Sequence, residues 1–226
     1  MLRKILIFLA LAIPFFGLSM LLTGPPPQPS EDELPWNVEV LDGGNSSVFG
    51  VTLEQTPLNE LRDRLRLFPS LGLFVSPNGD RRLEAYFGSV KLGPFETNLL
   101  ARLMADEDTL DAMVARSVND KPMPSGARRL ELSEQDTRRA LELPVAELSY
   151  VPRARYDEQT VLERFGRDPQ KLLMDDGRQY YLYPDTGVAI LLTARGRDTL
   201  HFISPRNFDD LRARIEEGES LQRPLP

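Results

Sequence analysis

One stretch constrains this chain more than any other: an uncharged run from Ile5 to Leu22, placed directly after Arg3 and Lys4. As a helix rising about 1.5 Å per residue the run would span about 27 Å. That nearly matches a bilayer hydrocarbon core of about 30 Å. Basic residues stay on the cytosolic side, and Glu31, Asp32 and Glu33 follow on the other, so the expected topology is N-terminus in, C-terminus out. A cleaved signal peptide and a retained anchor both fit. Gly17 and Ser19 are the small residues a cleavage site would use, but Met20, Leu21 and Leu22 continue the apolar run, which favours an anchor spanning residues 5–22. Pro14 lies mid-run, where it would kink a membrane helix. The four prolines between Gly24 and Pro29 stop the helix and give an extended spacer.

Beyond the spacer the composition is that of a folded protein, with 41% hydrophobic and 27% charged residues over the whole chain. Net charge is -7. Removing Arg3 and Lys4 from the 27 basic residues leaves 25 against 34 acidic ones, a balance that argues against a nucleic-acid partner. The chain has no cysteine. Disulfides, thiolate metal sites, cysteine nucleophiles and lipid attachment through an N-terminal cysteine are thereby excluded, and no cofactor is implied.

Turn and cap signals organise the remainder. Thr56 and Pro57 open a helix with Leu58, Leu61 and Leu65 on one face. Asn78-Gly79 joins an apolar run, Leu71 to Val75, to the alternating Leu83, Ala85 and Phe87, a hairpin pattern. Gly93-Pro94 then turns the chain into a strand from Phe95 to Leu103. Asp108 caps a helix carrying Leu110, Met113, Val114 and Val118, and a loop with Pro122, Pro124 and Gly126 follows. Arg129 to Leu132 reads as a strand, Ser133 with Asp136 as a capping box, and Val145 to Val151 as another strand ended by Pro152.

From Tyr156 the signals recur. Asp157 caps a helix with Val161, Leu162 and Phe165, stopped at Gly166, and Asp176-Gly177 turns into Tyr180 to Tyr183. Strands at Val188 to Thr193 and Thr199 to Ile203 precede a helix opened by Ser204-Pro205, bearing Phe208, Leu211 and Ile215 and ended by Gly218. The expected fold class is therefore α+β: a membrane helix followed by two helix-plus-antiparallel-meander units, a degenerate repeat in architecture. The domain plan is a membrane anchor or signal segment at 1–23, a proline-rich linker at 24–46 that includes Gly43 and Gly44, a first unit at 47–152, a second at 153–220 and a tail at 221–226.

The stretch from Asp157 to Pro184, with Glu158, Gln159, Val161, Leu162, Phe165, Gly166, Asp176, Gly177 and the Tyr-Leu-Tyr strand, resembles the SmpA/OmlA small outer-membrane lipoproteins of the β-barrel assembly machinery. The resemblance covers roughly a quarter of the chain and implies a fold-level analogy. That family packs a helix pair on a three-stranded antiparallel meander and acts as a non-catalytic envelope adaptor. This chain lacks the family's lipid-bearing cysteine and adds an N-terminal half.

Reactive constellations are sparse. His201 is the single histidine; a serine hydrolase would need it as base, but no Gly-x-Ser-x-Gly elbow accompanies it, so a strand histidine is expected. Asp106, Glu107, Asp108 and Asp111 lack the glycine and distal glutamate of a calcium loop and read as a helix start. Asp157 with Glu158, and Asp175 with Asp176, are paired carboxylates that cap and turn roles explain. Tyr180, Tyr181 and Tyr183 form the candidate binding cluster, since alternation puts Tyr181 and Tyr183 on one strand face. Cross-strand packing is the competing account of these rings. The sum is a non-catalytic binding or adaptor protein tethered to a bacterial membrane, with an envelope protein as the expected partner. The alternative is an envelope hydrolase using paired carboxylates on glycan.

Overall fold

The computed structural model describes residues 30–194 and 196–217. The apolar run 5–22, the prolines up to Pro29, Gly218 and the tail 221–226 lie outside the described residues. Residues from Glu31 onward form a compact unit of their own. Its class is mixed α+β, mostly antiparallel sheet with five α-helices.

The chain packs earlier than a proline-rich linker would. A 3-10 turn at Glu31–Glu33 leads to Trp36, whose ring meets Phe95 edge-on at 5.6 Å and lies under the Arg164 guanidinium at 4.7 Å. Strands β1 (Glu39–Val40), β2 (Ser46–Val48) and β3 (Val51–Thr52) then form a small sheet. Gly43 and Gly44, expected in the linker, lie in the turn joining β1 to β2, closed by the Leu41 N–H donating to the Asn45 carbonyl. The β2–β3 turn puts both Phe49 (φ 54) and Gly50 (φ 68) in the left-handed region, as a type I′ turn requires. A phenylalanine pays for that backbone only if its ring is well buried. Here it stacks on Tyr150 and meets Phe202 edge-on, both at 5.5 Å.

The remaining strands make one ten-stranded sheet, antiparallel throughout. Helix α1 (Leu58–Leu65) leads into β4 (Ser70–Val75), β5 (Arg81–Leu92) and β6 (Phe95–Leu103). Helix α2 (Glu107–Ala115), the hairpin β7 (Asn119–Pro122) and β8 (Arg128–Glu131), and helix α3 (Glu134–Glu142) precede β9 (Val145–Pro152). Helix α4 (Glu158–Phe165) leads into β10 (Gln170–Leu173), β11 (Gln179–Tyr183), β12 (Val188–Leu192) and β13 (Thr199–Ile203), and α5 (Phe208–Glu216) closes the described chain. Strand order is β10-β11-β12-β13-β9-β6-β5-β4-β8-β7. The meanders β4–β6 and β10–β12 thus enter from opposite ends, and β9 and β13 join them by pairing with each other. Residues 47–152 and 153–220 share a sheet.

Three local features differ from what the sequence predicts. Asp106, not Asp108, caps α2, accepting from the Thr109 N–H at 2.7 Å. Val118 falls beyond that helix and is exposed. Residues Asn119–Pro122, expected as loop, form the edge strand β7, all four of them exposed. An edge strand without a buried face shows no alternation, and a terminal proline suits an edge where no neighbour needs its N–H.

Burial along each strand reports what covers it. On β6, Thr97, Leu99, Ala101 and Leu103 are buried while Asn98, Leu100 and Arg102 are half-buried, the mark of a sheet dry on one side. On β13 all five residues are buried, which requires cover on both sides. Buried residues of α1 to α4 join the larger core on one face, whereas Phe208, Leu211 and Ile215 of α5 pack with Tyr180, Leu182, Ala189, Leu191 and Ile203 on the other.

One buried ion pair ties α2 to α3. Asp136 is fully buried and accepts two hydrogen bonds from Arg116, at 2.6 and 3.1 Å, and one from the Ser133 hydroxyl at 2.6 Å. The Arg116 guanidinium holds its carboxyl below the usual carboxylate range. Arg116→Ala removes two of the hydrogen bonds to this buried carboxylate, and we expect it to destabilise the fold at neutral pH, read by urea denaturation. Because the folded-state pKa is depressed, this stabilisation is present above the ordinary aspartate range and fades as pH falls through it. The Arg116→Ala difference should shrink accordingly at acid pH.

Candidate functional site

Strand β9 sits at the middle of the sheet and shows two different faces. Leu148 and Tyr150 point into the larger core, and Glu147, Ser149 and Val151 point the other way. Register aligns a band of side chains across this second face. Glu84, Arg102 and Glu147 stand opposite one another on β5, β6 and β9, and Tyr86, Leu100, Ser149 and His201 form the next row across to β13. Glu147 Oε1 accepts from Arg102 at 2.9 Å and from Arg214 of α5 at 2.7 Å. That shared carboxylate pins α5 to the centre of the sheet.

Helix α5 extends its apolar cover over β10 to β13. On the same face, β4, β5, β6, β8 and β9 carry half-buried or exposed side chains such as Phe74, Arg82, Tyr86, Asn98, Leu100, Ser149 and Arg129, with Glu84 the buried exception. This open face is polar and aromatic in mixture.

The open face is indented at the end of β9. A cleft of about 620 Å³ is bordered by Tyr86 and Asn98 from the open face, Arg153 and Arg155 just after β9, and Arg197 and Asp198 just before β13. Asp198 is nearly inaccessible to solvent and accepts from the backbone N–H groups of Tyr156 (2.9 Å) and Thr193 (3.2 Å). Arg155 donates to the carbonyls of Thr193 and Gly196. The carboxylate and the guanidinium together fix the loop that forms one wall. A smaller cavity of about 230 Å³ lies between Ser70 on β4 and Asn119, Lys121 and Arg129 on the β7–β8 hairpin.

No family model, curated protein or solved structure matches this chain.

The residues singled out from sequence fall as follows. Tyr180, Tyr181 and Tyr183 are 0%, 1% and 9% exposed, so the aromatic cluster does not present a binding surface. The alternation is as expected, with Tyr181 and Tyr183 in the larger core and Tyr180 under α5. Cover on both faces, which a lone strand does not reveal, turns these rings into packing. Tyr183 donates from its hydroxyl to the Gly166 carbonyl at 2.9 Å, and burial pushes its pKa up to about 12. Asp106 caps α2, while Arg81 pairs with both Glu107 and Asp111, consistent with the helix-start reading. Asp157 caps α4, Glu158 pairs with Lys171 at 2.6 Å, and Asp176 accepts from the Arg178 N–H in its turn. Among the described residues no group of three acidic or histidine side chains is placed to hold a metal.

His201 has a neighbour that sequence did not reveal. Ser149 Oγ and His201 Nδ1 share a 3.0 Å hydrogen bond across β9 and β13, while Nε2 is buried with no hydrogen-bond partner. Burial, and then the positive charge of Arg214, push the imidazole pKa down to about 3. A general base works best with a pKa near the operating pH. This ring is a weak base, which argues against Ser149 as an activated nucleophile. The cleft arginines also escaped notice: Arg153, Arg155 and Arg197 are scattered in sequence and no motif links them.

Proposed function

We propose that this protein is a non-catalytic binding or adaptor module held on the outer side of a bacterial inner membrane by residues 5–22, with an envelope protein as its partner. One observation carries the binding half of this reading. Four helices and the small sheet β1–β3 bury the middle of one face, whereas the apolar cover of α5 is confined to the β10–β13 end of the other, leaving a broad, mixed polar and aromatic surface with a cleft at its edge. Partly solvated surfaces of this kind, with aromatic and arginine side chains together, have the composition of interface patches. The meander β10–β12 behind α4 supports the SmpA/OmlA resemblance, and so an adaptor role. A doubled architecture is part of the same reading. Helices α1 and α4 are eight residues long, each is followed by a strand beginning five residues later, and each first hairpin turns at a positive-φ glycine, Gly79 or Gly177.

Three measurements test it. The chain should stay in alkaline-washed membranes, and protease added to spheroplasts should degrade the body; full protection would place the body in the cytosol and sink the proposal. A photo-crosslinking residue at Leu100 or Tyr86 should give a discrete adduct in cells, whereas one at Arg138, exposed on α3, should give none. Equal labelling from all three positions would remove the open face as the docking surface.

A further inference from the structure

We infer that the cleft at the end of β9 binds a phosphoryl group, carried either by a soluble phosphate ester or by a lipid headgroup. This rests on the binding-module reading only in taking the cleft for a ligand site, and is independent of the membrane topology. Three guanidinium groups border the opening beside the Asp198 carboxylate, in a chain of net charge -7. The side chains of Arg153 and Arg155 remain 64% and 56% exposed, and Arg197 is exposed as well. Each guanidinium has five N–H donors. Arg153 gives one contact to Glu96 at 3.0 Å, and Arg155 reaches two carbonyls and, at 3.7 Å, Asp198. Both retain donors for a ligand.

The phosphoryl group follows from the number of forks. A carboxylate offers two oxygens, whereas a terminal phosphoryl group offers three, one for each arginine. The wall is held in advance: Asp198 accepts from Tyr156 and Thr193, and Arg155 clamps Thr193 and Gly196. Asn98 supplies an amide that can donate to an ester oxygen, and the half-buried Tyr86 ring offers an apolar wall to whatever carries the phosphate. A volume of about 620 Å³ accommodates a phosphate with a small organic group.

Glu96 gives the inference a distinctive test, since its carboxylate competes for Arg153 with any anion. The full-length chain in neutral detergent micelles is titrated with glycerol 3-phosphate and with inorganic phosphate, following the Asn98 side-chain amide and the arginine Nε resonances. A second arm dopes the micelles with phosphatidic acid, a phosphomonoester lipid, or with phosphatidylcholine. We expect a saturable shift at Asn98 and Arg153 that weakens with added salt. Glu96→Gln should tighten binding several-fold, and Arg153→Ala with Arg197→Ala should weaken it about tenfold or more. Arg138→Ala, on the exposed surface of α3, should change nothing. Response to glycerol 3-phosphate marks a soluble ester; response to phosphatidic acid alone marks a lipid headgroup. Absence of a saturable shift with every probe up to about 10 mM, or a shift that Glu96→Gln does not strengthen, overturns the inference. If the double variant does not fold, Arg153→Gln and Glu96→Gln, which should move affinity in opposite directions, decide it. Loss of phosphate binding with retained crosslinking from Leu100 would remove this inference and leave the adaptor reading standing.

Discussion

Gly187→Ala is expected to destabilise the fold by about 4 kcal/mol or more, most of the stability of a domain at the low end of the usual range. Gly187 adopts φ +74 in the turn between β11 and β12, and its carbonyl accepts from the Ile203 N–H at 2.9 Å. An added Cβ would strike the Ile203 carbonyl oxygen and approach Pro205. Backbone cannot rotate away as a long side chain can. Relief would have to separate the turn from the end of β13, where Ile203 packs under α5. Gly177 provides the control: its φ is similar at +82, but nothing lies within 4 Å of the Cβ position. Gly177→Ala should therefore cost only about 1 kcal/mol from the backbone. Thermal and urea unfolding of the two variants measure the contrast, and equal losses would refute the collision account.

Acid should weaken the protein through His201. Its pKa is lowered from 6.5 in the unfolded chain to about 3 in the fold, so between these values the unfolded state binds a proton that the folded state refuses. Stability then falls as pH decreases through that window, by about 1.4 kcal/mol per pH unit from this residue. Over the whole interval the loss reaches about 4 kcal/mol. His201→Asn should flatten this part of the profile while preserving a polar partner for Ser149. Because His201 is the single histidine, its imidazole signals can be followed without overlap. They should remain those of a neutral ring at pH 5, and an ordinary titration near pH 6.5 would contradict the burial account.

Sequence resolved what short-range physics controls. Asn78-Gly79, Gly93-Pro94 and Asp176-Gly177 mark turns because positive φ favours glycine, and all three join strands in the structure. Ser133 and Asp157 mark helix starts because their oxygens satisfy backbone donors three residues on. The burial alternation on β5 and β6 follows the pleat. Less visible was the β2–β3 turn, since Phe49 in the left-handed region becomes tolerable only when Tyr150 and Phe202 surround its ring.

The candidate site was nearly illegible for a related reason. Ser149 and His201 are 52 positions apart, and Glu147 meets Arg102 and Arg214 from 45 and 67 positions away. Such contacts depend on which strands pair, and hairpin signals do not specify how one meander meets another. Tyr180, Tyr181 and Tyr183 show the same limit. Their alternation was readable, but whether each face is wet depends on where α4 and α5 dock. The sequence by itself determined the α+β class, most turns and caps, and the absence of cysteine chemistry. The pairing of β9 with β13, the half-covered sheet and the arginine cleft were decided only by tertiary structure, because long-range pairing and burial bring together residues that no local pattern connects.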